Sequence, residues 1–245
     1  MLSHAYIHVA DVVVTVSEFS KRELVRFMGI SPEKVRVIYE AADVLFAQPL
    51  PVDHIRQILV KYGIPQRFVL FVGGFDKRKN VATLLKAFTE LKKGHPDVAL
   101  VLVGIGGDID GCRTQSIAAG LQDRKDVFFL HRLPDTELAA LYRAASLFTT
   151  LSWHEGFCLP VVEAMTCGTP VLASSFGAIP EVLEGAGWLV DPRNLEEIVV
   201  GLRTMLERED VREELKARSL LRARAFSWER AARETWALYS ELYSA

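Results

Sequence analysis

The chain has 245 residues, half of them hydrophobic, which is enough to bury a sizeable core in one large domain or two smaller ones. Its 29 basic and 31 acidic residues give a formal net charge of −2, which argues against nucleic acid as a partner. Cys112, Cys158 and Cys167 form no CxxC pair and have no histidine at metal-ligand spacing, so we expect neither a disulfide framework nor a zinc site. No uncharged apolar run is long enough to span a membrane, and the sequence predicts a cytoplasmic location, with peripheral contact at the inner membrane face left open.

The first 45 residues have the pattern of a separate α/β unit. Residues 11–29 predict a strand, then a helix that is capped by Ser17 and ends near Gly29. Residues 33–43 predict a second strand that runs into a turn. The proline and polar residues that follow predict a linker with a connecting helix over residues 46–67.

From Phe68 onward, apolar runs of strand length alternate with segments of helical period. The predicted strands are Phe68–Gly74, Val98–Gly107, Val127–Leu130, Ser146–Ser152, Pro170–Ser174 and Gly187–Asp191. The predicted helices are Asn80–Leu91, Gln115–Gly120, Asp135–Ala145, one that begins at Pro160, and two or three between Leu195 and Tyr243. Because fully apolar strands are buried on both faces, the predicted fold class is α/β, a doubly wound, Rossmann-like parallel sheet with C-terminal helices.

The segment "HEGFCLPVVEAM" (residues 154–165) predicts an anion site. Pro160 suits the first turn of a helix, because the N–H that proline lacks would have no partner there. The N-terminus of such a helix offers free N–H groups and a partial positive charge. Gly156 lets the backbone approach a ligand closely, and the loop follows a buried strand, where ligands bind in open α/β sheets.

Two glutamates, Glu155 and Glu163, flank this predicted anion site. Ionised carboxylates only accept hydrogen bonds, so they should meet hydroxyl groups rather than phosphates. A nucleotide sugar has phosphates in the middle and hydroxyls at both ends, which would place Glu155 at the sugar and Glu163 at the ribose. The alternative is that Glu163 only complements the helix dipole and Glu155 is a solvated loop acid.

Basic partners for a diphosphate occur in "GGFDKRKN" (residues 73–80), which follows the first strand of the predicted sheet. Arg78 could bind phosphate as a fork and Lys79 as a point charge. The competing interpretation is a basic turn in solvent. A second glycine turn, "VGIGGD", has Gly104 and Gly106 in place but Ile109 where a dinucleotide fingerprint needs its third glycine, which weighs against an NAD enzyme.

These motifs together resemble the donor-site signature of the retaining glycosyltransferases with the two-domain GT-B architecture, the group 1 glycosyl transferases. The E-x7-E pattern of that family matches at Glu155 and Glu163, "GGFDKRKN" resembles its phosphate-side basic loop, and "FSWERAA" resembles the start of its closing helix. The resemblance covers nearly the whole chain. It divides the chain into a remnant of the N-terminal acceptor domain (1–45), a linker and connecting helix (46–67), a nucleotide-sugar donor-binding domain (68–225) and a closing helix (226–245).

The resemblance implies retaining transfer of a sugar from a nucleoside diphosphate sugar to a glycan or lipid-linked acceptor, with no cofactor and no required metal. Glu155, Lys79 and Arg78 would then form the catalytic set. The implied donor-binding residues are Gly73, Gly74, Gly104, Gly156, Phe157, Cys158, Leu159 and Glu163. In physical terms, the site would stabilise a departing anion beside an oxocarbenium-like sugar.

Three departures from the family pattern affect these expectations. Many members have arginine where this chain has Gly74, so more of the phosphate charge falls on Arg78 and Lys79. Cys158 replaces the usual glycine after "EGF". Only the tail of the acceptor domain is expected in residues 1–45, so we predict that the chain binds a nucleoside diphosphate but transfers sugar poorly alone. A non-catalytic nucleotide-sugar-binding module and a GT-B sugar-nucleotide epimerase are the alternatives.

Overall fold

The computed structural model describes residues 7, 9–104, 109–118, 120–122 and 125–244. Its strands are β1 (Val13–Thr15), β2 (Val35–Val37), β3 (Phe68–Val72), β4 (Ala99–Val103), β5 (Val127–Leu130), β6 (Leu147–Thr150), β7 (Val171–Ser174) and β8 (Trp188–Val190). In the described ranges, β1 and β2 pair as a small parallel sheet, and the other strands form a six-stranded sheet in the order β5-β4-β3-β6-β7-β8. Every adjacent pair in the larger sheet is parallel.

The helices connect these strands and close the chain. They are α1 (Glu18–Met28), α2 (Val52–Tyr62), α3 (Val81–Lys92), α4 (Ile109–Ala118), α5 (Asp135–Ala144), α6 (Leu159–Thr166), α7 (Ile179–Leu183), α8 (Leu195–Glu207), α9 (Glu209–Ala223) and α10 (Trp228–Tyr243). Short 3₁₀ turns lie at Pro32–Lys34, Val44–Ala47 and Lys77–Lys79. Ser17 caps α1 as predicted, because its side chain accepts a hydrogen bond from the N–H of Ser20.

The six-stranded sheet is buried on both faces, as its apolar strands require. Alternate residues of β3 belong to two separate clusters: Leu70 packs with α5 and α6 on one face, while Phe71 packs with α3 and α8 on the other. Helices therefore cover both sides of a parallel sheet. The prediction of a doubly wound α/β fold is confirmed.

The direction of winding reverses at the centre of this sheet. From β3 the chain runs outward through β4 to β5, then returns to β6 on the opposite side of β3 and continues to β8. Loops that leave the carboxyl ends of β3 and β6 consequently separate and open a crevice, which is the usual ligand position in such sheets. We call residues 73–80 the β3 loop and residues 151–158 the β6 loop.

Two sequence predictions differ from the structure or fall outside it. The helix predicted at Gln115–Gly120 was placed too late in the chain: the described part of α4 spans Ile109–Ala118, and its earlier residues Ile109 and Cys112 pack in the cluster on one face of the sheet. The strand predicted at Val98–Gly107 is observed at Ala99–Val103, and residues 105–108, with Gly106, lie outside the described residues.

Three aromatic rings join distant parts of the chain. Tyr39, which follows β2, packs against Phe157 of the β6 loop, with ring centroids 6.0 Å apart. Phe226, just before α10, contacts both rings at 5.5 and 5.7 Å. The residues before β3 and after α9 thus pack against the β6 loop.

Among the described residues, the structure contains no helix with the length and apolar character to cross a membrane.

Candidate functional site

The β3 loop places two basic side chains at the edge of the crevice. The Asp76 side chain accepts a hydrogen bond from the N–H of Arg78 at 3.0 Å and starts the 3₁₀ turn that carries Arg78 and Lys79. Asn80 then adopts a left-handed conformation (φ 55°), which asparagine tolerates better than most residues, and leads the chain into α3. The local sequence thereby fixes the direction of both basic side chains.

Glu155 of the β6 loop lies between these two cations. Nζ of Lys79 is 2.6 Å from its Oε1, and Nη1 of Arg78 is 2.9 Å from its Oε2. The carboxylate is 8% exposed and Lys79 is 12% exposed, whereas Arg78 is 45% exposed and reaches solvent. Each carboxylate oxygen has a second lone pair, so Glu155 can still accept hydrogen bonds from a ligand.

The β6 loop leads into a helix N-terminus with free donors. Pro160 lies in the first turn of α6, as predicted, and Cys158 immediately precedes the helix. The N–H groups of residues 156–159 donate to no acceptor within the described part of the chain. Four consecutive free amides at the start of a helix can donate hydrogen bonds to an anion or to ligand oxygens.

Cys158 has the backbone conformation that favours glycine, with φ 83° and ψ 68°. Its thiol is buried, and burial raises its pKa to about 12, with the negative charge of Glu155 adding to the shift and Lys79 opposing it. Glu163 raises the pKa of the same thiol by a smaller amount. The thiol is therefore neutral at physiological pH, and both glutamates and Lys79 are within electrostatic range of it.

Glu163 lies in the second turn of α6 and is held by a tyrosine. The buried Tyr142 hydroxyl donates a hydrogen bond to its Oε2 at 2.8 Å. Burial raises the pKa of Glu163 above its usual value, the Tyr142 hydrogen bond lowers it, and the nearby Asp135 charge raises it again. The sequence predicted Tyr142 only as part of a helix, because helical spacing can indicate that a residue is buried but not that it is hydrogen-bonded to Glu163.

A cavity of about 300 Å³ opens at the carboxyl ends of β3 and β4. It is lined by Val72, Gly73, Gly74, Val103, Gly104, Arg132, Leu133, Asp135 and Leu138. Gly104 is packed against a neighbouring strand end: an added Cβ would lie 1.7 Å from the Gly73 carbonyl oxygen. The three predicted glycines therefore line one pocket, and Gly104 has a packing role as well.

The structure thus brings the catalytic candidates Lys79, Arg78 and Glu155 into direct contact. Glu163 contacts Tyr142 and is electrostatically coupled to Asp135, which lines the glycine cavity. Of the remaining predicted donor-binding residues, Phe157 and Leu159 offer their backbone, since Phe157 directs its ring into the core. His154, expected to be a packing or surface residue, makes an edge contact with Phe19.

No three His, Cys, Asp or Glu side chains in the described ranges are grouped so that they could hold a metal ion.

The raised pKa of Glu163 predicts a pH-dependent effect of Glu163→Gln. A carboxyl whose folded pKa exceeds its unfolded value binds more protons in the folded state, so it reduces stability as pH rises from about 4.5 through the folded pKa. Relative to wild type, the variant should therefore gain free energy of unfolding between pH 4 and pH 7. Urea unfolding at several pH values measures this.

Glu137→Gln is the matched control for this measurement. Lys61 and Tyr62 lower the pKa of Glu137, so its contribution is present above the unfolded pKa and is lost as pH falls. Relative to wild type, Glu137→Gln should therefore lose stability as pH rises toward about 4.5, and the difference should stay constant at higher pH. Parallel pH profiles of stability for the two variants would contradict the opposite pKa shifts of Glu163 and Glu137.

Comparison with known proteins identifies the family. The model of the family described as glycosyl transferases group 1 matches residues 54–221, more than half of the chain, so the chain belongs to the group 1 glycosyl transferases. It is 32% identical over 244 residues to the O-antigen chain mannosyltransferase B of Escherichia coli, covering 98% of this chain and 63% of that protein. It is 30% identical over 240 residues to the D-inositol 3-phosphate glycosyltransferase of Corynebacterium glutamicum (strain R), covering 95% and 57%. The chain thus spans less than two thirds of the length of either relative.

Solved structures give the same fold. Sucrose-phosphate synthase from Thermosynechococcus elongatus superposes with a TM-score of 0.85 at 27% identity, covering 100% of this chain and 61% of that chain. Anabaena HepE, solved in complex with UDP and glucose, gives a TM-score of 0.84 at 23% identity, covering 97% and 67%. At that identity the second likeness shows the fold alone. The GT-B type of α/β architecture is confirmed.

Proposed function

We propose that this chain is the nucleotide-sugar-binding part of a retaining glycosyltransferase that moves a sugar from a nucleoside diphosphate sugar to a glycan or lipid-linked acceptor. The observation that carries the proposal is Glu155, held between Lys79 and Arg78 beside the free amides at the start of α6. Membership of the group 1 glycosyl transferases and relatives named as glycosyltransferases support it.

The charges fit the departure of a diphosphate. In the proposed complex, Lys79, Arg78 and the α6 amides face the phosphates and stabilise the negative charge that develops as the glycosidic bond breaks. Glu155 uses its remaining lone pairs to accept hydrogen bonds from hydroxyls of the sugar. Two cations and a helix N-terminus supply positive charge at this position, and we propose transfer without a metal ion or cofactor.

The other half of the donor is proposed to lie toward Glu163. Ribose hydroxyls donate to this carboxylate, which Tyr142 holds in place. The base then enters the cavity beside Gly73 and Gly104, where Asp135 stands at its edge. Because a carboxylate accepts hydrogen bonds, Asp135 favours guanine, whose N1–H and 2-amino group offer adjacent donors.

A scan of nucleoside diphosphates tests the proposal. We expect GDP, and UDP more weakly, to raise the melting temperature of the purified chain. Lys79→Ala should weaken binding by about 1.5–3 kcal/mol, or at least about tenfold, because a charged hydrogen bond to phosphate is lost. Lys77→Ala, which removes the same charge from an exposed position of the same turn, is the control. Absence of binding by every nucleoside diphosphate, or equal loss in both variants, would contradict the proposal.

A non-catalytic nucleotide-sugar-binding module is the second candidate; the chain spans 63% of the length of the E. coli mannosyltransferase. Transfer is therefore measured with the chain alone and with the N-terminal part of a full-length relative added. We expect binding by the chain alone and transfer only after this addition. Robust transfer by the chain alone would exclude the module, and conversion of the free nucleotide sugar into its epimer would support an epimerase instead.

A further inference from the structure

The start of helix α1 is hydrogen-bonded to the β6 loop. The Ser17 hydroxyl donates to the Gly156 carbonyl oxygen at 2.5 Å, and the Ser20 hydroxyl donates to the same oxygen at 3.1 Å. A Cβ added to Gly156 would lie 3.2 Å from Oγ of Ser20, so glycine permits this close approach. Two side chains from the N-terminal segment thus fix one carbonyl beside Glu155.

Glu181 of α7 fixes the same end of α1. Its Oε1 accepts from the N–H of Glu18 at 2.7 Å, and its Oε2 accepts from the N–H of Phe19 at 2.8 Å. A carboxylate at a helix N-terminus satisfies free donors and complements the dipole. The Tyr39 hydroxyl also donates to Oε1 at 2.9 Å, and burial together with Glu181 raises the pKa of Tyr39 to about 12, which keeps it a donor.

The β6 loop is held from the α7 side as well. The N–H of Ala178 donates to the Glu155 carbonyl oxygen at 2.9 Å. An added Cβ at Gly177 would lie 2.7 Å from the Glu155 backbone nitrogen, so the turn before α7 packs directly against this residue. The carbonyl oxygens of Glu155 and Gly156 therefore both have fixed hydrogen-bond partners in other elements.

These contacts determine where two amides point. In a planar trans peptide the N–H is directed opposite to the C=O. With the Gly156 carbonyl turned to α1, the N–H of Phe157 points away from α1; with the Glu155 carbonyl turned to Ala178, the N–H of Gly156 points away from α7. Neither N–H has an acceptor among the described residues.

We propose that Ser17, Ser20 and Glu181 are positioning residues: acting through the Gly156 carbonyl, they aim the N–H of Phe157 at the sugar of the donor. This inference rests on the proposed function. Ser17 and Ser20 lie 139 and 136 residues before Gly156 in the chain. Through these hydrogen bonds, the N-terminal segment would help to shape the donor site.

Ser20→Ala, Ser20→Thr and Glu181→Gln test the proposal by calorimetry with GDP-mannose and GDP, with UDP-glucose and UDP measured in parallel. Ser20→Ala and Glu181→Gln should weaken binding of the nucleotide sugar about three- to tenfold, the effect of one well-placed hydrogen bond to a sugar hydroxyl. Binding of the bare nucleoside diphosphate should barely change, and Ser20→Thr, which keeps the hydroxyl, should restore binding of the nucleotide sugar. A loss that is equal for both ligands, or no loss, would overturn the proposal.

Amide hydrogen exchange gives a readout that needs no ligand. Exchange at Phe157 should change in Ser20→Ala and Glu181→Gln, since the peptide loses its fixed direction, while exchange in the core strand β3 stays as in wild type. Glu184→Gln is the control, because Glu184 directly follows α7 at its other end, is exposed and pairs with Arg222. Unchanged exchange at Phe157 would reject the proposal, whereas a wild-type chain that binds none of the four ligands would reject the proposed function instead.

Discussion

Glu155→Gln is expected to lower glycosyl transfer by about 10²–10³-fold while strengthening the response to a bare nucleoside diphosphate. The amide removes the negative charge that Lys79 and Arg78 share in the wild-type chain. Two cations are then left for the diphosphate, so the nucleotide should raise the melting temperature of the variant more than that of wild type. Without ligand, the variant should be less stable, by up to about 3 kcal/mol, because Lys79 keeps a buried charge with a weaker partner.

Lower transfer and lower stability without ligand, together with a larger response to the nucleotide, distinguish the proposed role of Glu155 from a purely structural one. A glutamate that only stabilised the fold would lower stability and turnover together, with no larger response to the nucleotide. Melting curves of wild type and Glu155→Gln, with and without GDP or UDP, measure the response, and transfer is measured with the added N-terminal part of a relative. A nucleotide response equal to or smaller than that of wild type would contradict the assignment.

Gly104→Ala is expected to reduce the free energy of unfolding by about 3 kcal/mol. The new Cβ would lie 1.7 Å from the Gly73 carbonyl oxygen and 2.8 Å from its carbon, both backbone atoms. These strand ends cannot separate easily, because the N–H of Gly73 donates to Val103 and that of Gly104 donates to Leu130. In a chain of this size the melting temperature should fall by roughly 6–12 °C.

Gly94→Ala is the matched control for this steric effect. An added Cβ at Gly94 meets no atom within 4 Å, so its cost should be close to zero. Thermal unfolding of both variants and of wild type gives the comparison. Similar melting temperatures for the two alanine variants would mean that the ends of β3 and β4 are not packed as described.

The sequence predicted the parts of the site that depend on local pattern and on the polarity of a parallel sheet. Arg78 and Lys79 follow one apolar strand and Glu155 follows another, and the carboxyl ends of parallel strands meet at one edge. Pro160 indicated the start of α6 because its missing N–H is tolerated there. The roles assigned to these residues stay predictions until a ligand is measured.

Contacts between distant segments left no signal in the sequence. Nothing local connects Ser17 to Gly156 or Glu181 to the first turn of α1, because each pairing depends on how two units pack. The hydrogen bond between Tyr142 and Glu163 joins two helices that the pattern could only place separately. The left-handed backbone of Cys158 was indicated only by the family resemblance, which has glycine at this position, since cysteine itself does not indicate a positive φ.

The contact among Tyr39, Phe157 and Phe226 limits how this protein can be recombined with its relatives. Phe157 is 3% exposed, and the rings of Tyr39 and Phe226 pack against it. Tyr39 precedes the six-stranded sheet in the chain, and Phe226 follows it. A chimera with crossovers at residues 68 and 225 would exchange Phe157 while keeping Tyr39 and Phe226 from the other parent. The three rings should therefore be inherited together, and crossovers before Tyr39 and after Phe226 should give the better-folded hybrids.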